Sequence, residues 1–388
     1  MGGLITAIIV FAVLVALFGG VGYFVWRGIL RFAKGVERGI KMVPILIDLP
    51  PPSEDIEGGG RDTRDIIQEN ISQAEVLYNL IAGTSKKGFK SRFYGQRHVS
   101  LEIVAINGVI RYYTAVPVAL TEVIKQAILT AYPGAYLEEV EDHNIFSPTG
   151  KISGTIGGEI ILKEPYSYPV ATFNEVKRDT IQALINAMSS LQAGDGVAVQ
   201  LLIRPAFSGW TKASENLVSK KKKSKGKGSS INVGSILQAP FKVPEKKEDK
   251  DPGDKQLTNL EQSVLDAVEE KTKHPGYEVL IRLVASSNTA ARSQAVLQNL
   301  VTAFSLFDAP GLNGFKFNEA KDIENFVTAF IFRFFPPEAK SNVLNSVELA
   351  TLFHFPESQF THTSQLQRQY SKQVEGPSHI PDQGLLLG

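Results

Sequence analysis

The sequence predicts an α+β protein in which one N-terminal transmembrane helix precedes two α/β lobes of the ferredoxin-like sandwich kind, built on antiparallel or mixed sheets. Three observations carry this reading. Residues 4–26 form an apolar run with no charged side chain. The remainder alternates period-two strand segments with amphipathic helical ones. A stretch rich in Lys, Gly and Pro over 211–256 divides that remainder in two. A length of 388 residues suits two folded units at roughly 150 residues per domain. Hydrophobic residues at 43% and charged residues at 21% exclude wholesale disorder. Forty-one basic against forty acidic residues give a net charge of +1, and there is no cysteine to form a disulfide or a thiolate metal site.

The apolar run, LITAIIVFAVLVALFGGVGYFVW, would span roughly 34 Å as a helix, enough for a hydrocarbon core of about 30 Å. Tyr23 and Trp26 close it with rings suited to the headgroup boundary. Gly19, Gly20 and Gly22 offer a surface for close helix packing. A cleavable signal peptide would need a basic leader, and Met1-Gly2-Gly3 has none, so the segment reads as an anchor. The basic residues follow it: Arg27, Arg31, Lys34, Arg38 and Lys41 fall on one helical stripe. That stripe is expected to face membrane lipid, each cation contributing about 1 kcal/mol near anionic headgroups. Positive charge after the span also predicts an outward N-terminus and a cytoplasmic bulk at the inner membrane. A plain stop-transfer flank would explain the same charges.

Residues 27–61 then read as a basic juxtamembrane helix and a Pro/Gly tether, with VPILIDLPPP extended and SEDIEGGG flexible. The first lobe covers 62–210. A helix from Asp62 carries Ile66, Ile67, Ile71, Ala74, Leu77, Leu80 and Ile81 at helical spacing and stops at Gly83. HVSLEIVA and VIRYYTAV flank Asn107-Gly108 as a hairpin. A helix from about Pro117 to Pro133-Gly134 and the edge strand AYLEEVED complete a β-β-α-β order. TIGGEIILKEP and GVAVQLLIRP add strands around a helix over 174–194. Residues 211–256, with Lys220 to Lys223, Lys225 and Lys227, are expected to be a disordered linker. The second lobe covers 257–356, with GYEVLIRLVAS as a strand between two helices, and GFKFN and FVTAFIFRFF as further strands, the latter with a helix as the alternative. Within it, Asn345 and Glu348 form a capping box for a short helix closed by Pro356.

No motif supplies catalysis. The stretch 83–90 has Phe89 and Lys90 where a phosphate loop needs Lys and Ser/Thr, and it follows a helix. The six histidines show only a weak His354/His362 pairing, so no metal or cofactor is expected. Glu138, Glu139, Glu141 and Asp142 read as protection of a strand edge.

Several phrases together carry a resemblance: residues 98–142, GVAVQLLIRP, LNSVELATLFHFP, and SKQVEGPSHIPDQGLLLG. They resemble the membrane-anchor and α/β region that precedes the motor in conjugative type IV secretion ATPases. The closest version is the HerA/FtsK-like, TraG-type transfer ATPases of candidate-phyla bacteria. The resemblance spans most of 43–388 and is most specific at 344–356 and 377–388. It implies a noncatalytic module that anchors and assembles a DNA-transfer ATPase. The P-loop motor, with its Walker motifs, would lie beyond Gly388 or in a separate chain. Leu349, Leu352 and Phe353, with Leu385, Leu386 and Leu387 in the tail 357–388, become candidates for docking that motor. Homo-oligomerisation is a further expectation. The alternative is a membrane-tethered nucleic-acid-binding protein that uses its basic linker and lobes.

Overall fold

The computed structural model describes residues 2–50, 62–86, 88–146, 154–189, 191–207, 209–223, 259–336 and 342–356. Helix α1 (Gly2–Ile40) carries the apolar run and continues unbroken through the basic stripe. It is the one described helix long and apolar enough to span a membrane. Beyond the single turn residue Lys41, the chain enters strand β1 (Met42–Asp48).

This strand corrects the expected tether. β1 is hydrogen-bonded on both edges, and Ile45 and Ile47 are buried. Pro44 argues against a central strand because it lacks an N–H. Here it contributes its carbonyl oxygen, which accepts from Val140 N at 3.1 Å.

Helix α2 (Thr63–Ala82) starts at Asp62, whose side chain accepts from the Arg64 amide. It buries Ile66, Ile67, Ile71, Ala74, Leu77 and Ile81 as its spacing predicts, whereas Leu80 is exposed. After the short helix α3 (Phe89–Tyr94), β2 (Val99–Ile106) and β3 (Val109–Pro117) form the expected hairpin. Asn107 and Gly108 have φ of 51° and 81°, which the tight turn requires and Gly tolerates without cost. Helix α4 (Thr121–Ala131) leads to the edge strand β4 (Tyr136–Glu139), where Glu138 and Glu139 point to solvent and Lys125 Nζ lies 2.5 Å from Glu139 Oε1.

Strand β5 (Thr155–Leu162) is followed by α5 (Phe173–Val176) and α6 (Thr180–Met188). The single helix expected over 174–194 is broken because Lys177 turns left-handed and Asp179 opens a new N-terminus on Gln182 N. Strand β6 (Gly196–Pro205) precedes α7 (Lys212–Lys223) and α8 (Asn259–Lys271). Residues 212–223 are therefore helical and not linker, since Leu217 and Val218 find Leu265 and Val268 on α8 to pack against. The rest of that linker, 224–258, lies outside the described residues.

The chain continues through β7 (Gly276–Ser286), α9 (Ala290–Ala303), β8 (Phe315–Glu319), α10 (Ile323–Ile331), β9 (Val343–Asn345) and α11 (Ser346–Leu352). FVTAFIFRFF, expected as a strand with a helix as the alternative, begins inside helix α10. Asp322 caps that helix on Asn325 N, and Phe326, Val327 and Phe330 fall on one helical face.

All these strands lie in one antiparallel sheet of order β4-β1-β3-β2-β6-β7-β5-β8, with β9 on the free part of β7. The two expected lobes are thus interleaved. β7 from the second half lies between β6 and β5 from the first, and its register with β6 runs from Gly196↔Ser286 to Pro205↔Tyr277. One sheet face carries the main core, with α2, α4, α6, α9 and α11 packed on residues such as Leu101, Leu201, Ile281 and Leu283.

Leu349, Leu352 and Phe353 belong to that core, which corrects their expected docking role. The reason is local: the Asn345–Glu348 capping box forms as predicted, and Glu348 is also held by Lys271 Nζ at 3.1 Å. Leu385, Leu386 and Leu387 lie outside the described residues.

The opposite face is smaller and carries a polar row, buried at Glu102, Gln200 and Arg282 and half-buried at Glu159. Glu102, Gln200, Arg282 and Glu159 are direct neighbours across β2, β6, β7 and β5. Arg282 donates to the carbonyls of Ala329 and Phe334 at 2.9 and 2.7 Å, and Gln200 Nε2 donates to that of Phe330 at 3.0 Å. The Ala329 and Phe330 carbonyls are among those that a helix end leaves without intrahelical donors, and Phe334 follows just beyond it. Glu102 Oε1 accepts from Arg333 Nε at 2.8 Å and from Gln200 Nε2 at 3.0 Å. Burial opposes its charge, but the Arg333 guanidinium outweighs that and pushes the Glu102 carboxyl down to about 2. Replacing Arg282 with Leu should cost about 3 kcal/mol in chemical denaturation, because it removes the donor to Gln200 Oε1 and to the Ala329 and Phe334 carbonyls and leaves Glu159 without its guanidinium. A loss under about 1 kcal/mol would mean that the row does not hold α10.

Candidate functional site

The C-terminal half of α1 does not stand free. Gly39 is buried, and a Cβ there would collide with the Phe332 carbonyl oxygen. A Cβ on Gly35 would sit 3.2 Å from the Phe334 ring. Gly35 and Gly39, one helical turn apart, thus form a small-residue ridge that admits the 332–335 backbone. Phe32 and Phe334 add an edge-to-face ring pair at 5.1 Å. The surface that receives the helix is the segment hydrogen-bonded to the polar row. It turns sharply at Arg333, whose φ is 48°.

Of the basic stripe, expected to face lipid along its length, Arg27, Arg31 and Arg38 meet the 93–96 segment of the body instead. Arg38 Nη1 donates to the carbonyls of Gly95 and Gln96 at 3.1 and 3.0 Å. Arg31 Nε donates to that of Phe93 at 2.6 Å. These carbonyls end helix α3, where aligned peptide dipoles leave partial negative charge. Arg27 lies over the Phe93 ring, its Cζ 5.9 Å from the centroid. Lys34 and Lys41 both pair with Glu37, at 2.5 and 3.2 Å. The outward surface of this part of α1 is instead apolar, with Ile29, Phe32 and Ile40 more than half exposed. Tyr23 and Trp26 pack their rings on Phe93 at 6.5 and 5.8 Å, so the end of the apolar run touches the body.

Between α1, the 85–97 segment and the ends of β6 and β7 lies a cleft of about 1020 Å³. A second of about 930 Å³ opens beside it and shares Arg38, Lys86 and Gln96. Arg27, Arg31, Arg38, Lys86, Arg97 and Arg204 line the pair, against the carboxylates of Glu37 and Glu278. Both carboxylates are engaged: Glu37 by the two lysines, and Glu278 by Arg204 Nε at 2.6 Å. Arg204 also stacks over the Phe335 ring at 4.1 Å. Trp210 walls the far side, so close to Gly276 that a Cβ there would enter its ring. Gln96 braces the 85–86 turn, donating to Lys86 O at 2.9 Å and accepting from Lys86 N at 3.2 Å. The stretch 83–90, rejected as a phosphate loop, supplies Lys86 and Gly88 to the rim.

His98 closes the floor. Burial pushes its imidazole down to about 3, so it is neutral at neutral pH and its Nε2–H donates to Arg333 O at 2.8 Å. His354, expected in a weak pair, instead bonds Ala350 O and Asp179 with its two ring nitrogens. His362 lies outside the described residues. Asp142 of the acidic edge cluster accepts from Arg333 Nη1 at 2.7 Å.

Sequence reasoning picked out the stripe but missed Arg204, Glu278, Glu102 and Arg282. The signal was present: each is a charged residue inside an otherwise apolar strand segment.

A depressed histidine binds its proton more readily when unfolded, so acid must destabilise the fold. The contribution of His98 is complete above about pH 6.5 and is lost as pH falls from there towards 3. Lowering pH from 6.5 to 5 should remove ~2 kcal/mol through this residue. His143, lowered by burial, adds in the same direction. A His98→Asn variant should show a shallower loss over that range when unfolding is followed by denaturant titration. An unchanged slope would contradict the assignment.

Comparison with curated proteins finds no match. A family model described as a domain of unknown function matches residues 68–368, from within α2 to beyond α11. The chain belongs to that family, DUF8128.

Proposed function

We propose that this chain is a membrane-anchoring and assembly module for a DNA-transfer ATPase of the conjugative, type IV secretion kind. It is noncatalytic in itself, and its body lies on the cytoplasmic side of the inner membrane. One observation carries the reading. A helix apolar enough to cross a membrane is wedged into the body by Gly35 and Gly39 and passes through one turn residue into the central sheet. The anchor is thus a strut, and a strut suits a platform that must hold a partner at fixed height and orientation.

Two further observations support it. Buried charges serve the fold: Glu102 holds Arg333, Lys271 holds Glu348, and Arg282 donates to a carbonyl of α10. The cations after the span are numerous enough to retain this end on the cytoplasmic side. A motor, joined in the same chain or supplied separately, would then engage surfaces other than the buried Leu349, Leu352 and Phe353.

A reporter active only in the cytoplasm, fused after Gly388, should be active, and an exterior-only reporter should be silent. The reverse result would sink the topology. The full chain in detergent should capture a cognate P-loop motor without hydrolysing ATP itself. Turnover that follows the chain through purification would overturn the noncatalytic reading. Gly39→Val should weaken motor capture at least severalfold by displacing α1 from 332–335, with the span still inserted. Unchanged capture would remove the strut from the mechanism.

A further inference from the structure

We propose that the basic cleft binds a phosphate group, and that its occupant is the headgroup of an anionic phospholipid from the leaflet facing the body. The proposal rests on the membrane-spanning reading of α1 and not on any motor partner. The cleft holds more guanidinium and ammonium groups than carboxylates, and both of its carboxylates already serve other cations. Arg and Lys concentrated in a concave site are the usual means of binding phosphate oxygens. Ser85 and Ser91 add hydroxyls to the same wall.

The source follows from depth. The apolar run ends at Trp26, whose ring packs on Phe93. Arg27 is the next residue, and Arg31 is about 6 Å further along the axis. Headgroups occupy about 5–8 Å beyond each side of the hydrocarbon core. The Arg27 and Arg31 end of the cleft therefore lies at the depth of lipid phosphates, while Ile29 and Phe32 on the same turns remain exposed for acyl chains.

Arg31 and Arg38 hold α3 and would confuse a test. Lys86 lines both cavities and Arg97 the adjoining one, and neither side chain makes those bonds. The experiment uses the full chain reconstituted with phosphatidylglycerol and phosphatidylcholine in equal amounts, with retained lipid counted by native mass spectrometry. Phosphatidylglycerol should be retained saturably at one or two molecules per chain, at least tenfold over phosphatidylcholine. It should resist millimolar inorganic phosphate. The Lys86→Gln, Arg97→Gln double variant should lose at least tenfold of that retention with its melting temperature unchanged.

Displacement by inorganic phosphate, with phosphate alone raising the melting temperature of the original chain and not of the variant, would assign the site to a soluble anion and overturn the lipid. Equal retention of both lipids, or retention unchanged in the variant, would overturn the site. Failure of motor capture leaves every one of these readouts unaffected.

Discussion

The structure depends on one buried interaction: the end of α10 is held on the sheet by the polar row beneath it. Arg282, Gln200 and Glu102 lie side by side across β7, β6 and β2, and each reaches residues 329–335 or Arg333. A charged row inside a sheet costs desolvation that only a full set of partners offsets. Here the partners are carbonyls at and just beyond a helix end, and a guanidinium, which needs a carboxylate. Two otherwise unfavourable burials satisfy each other. The left-handed Arg333 belongs to the same arrangement, since a non-glycine residue stays there only when its surroundings hold it.

Everything at the membrane end is built on that segment. The backbone of 332–335 is the surface on which Gly35 and Gly39 seat α1, and Phe335 is the ring on which Arg204 rests. His98 ties β2 to the same turn through the Arg333 carbonyl. The chain reaches this arrangement from distant parts of its sequence, and for that reason the sheet interleaves its halves. β7 must lie beside β6 for Arg282 to meet Gln200, and β5 must lie beyond β7 for Glu159 to extend the row.

What could be read in advance was what local chemistry decides. Asn107-Gly108 fits its turn by backbone freedom alone, and Asn345 and Glu348 cap a helix across three residues. The α+β class and the antiparallel pairing of 99–117 follow from alternation within single segments. What could not be read depended on distant partners. Residues 42–48 look like a proline-stiffened tether until β3 and β4 appear on either side. Residues 212–223 look like a lysine-rich linker until α8 covers Leu217 and Val218. FVTAFIFRFF has the composition of a strand, and only the Asp322 cap and the sheet face under Phe326 and Phe330 make its first part a helix.

The basic stripe shows where periodicity stops being informative. Spacing of 4, 3, 4, 3 establishes that Arg27, Arg31, Lys34, Arg38 and Lys41 share a face, and nothing about what that face meets. Three receptors compete for it: water, lipid phosphate and the carbonyl end of a protein helix. The helix end is preorganised and already partly dehydrated, so Arg31 and Arg38 gain charge-assisted hydrogen bonds there that mobile headgroups would have to be ordered to supply. Ile29, Phe32 and Ile40 are left on the outside. A helix can therefore present its cations to protein and its apolar side to lipid while keeping the sequence of a simple stop-transfer flank. Folding inward gathers the arginines around a concavity, and a stripe that would only have attracted a membrane becomes a wall of the cleft beside it.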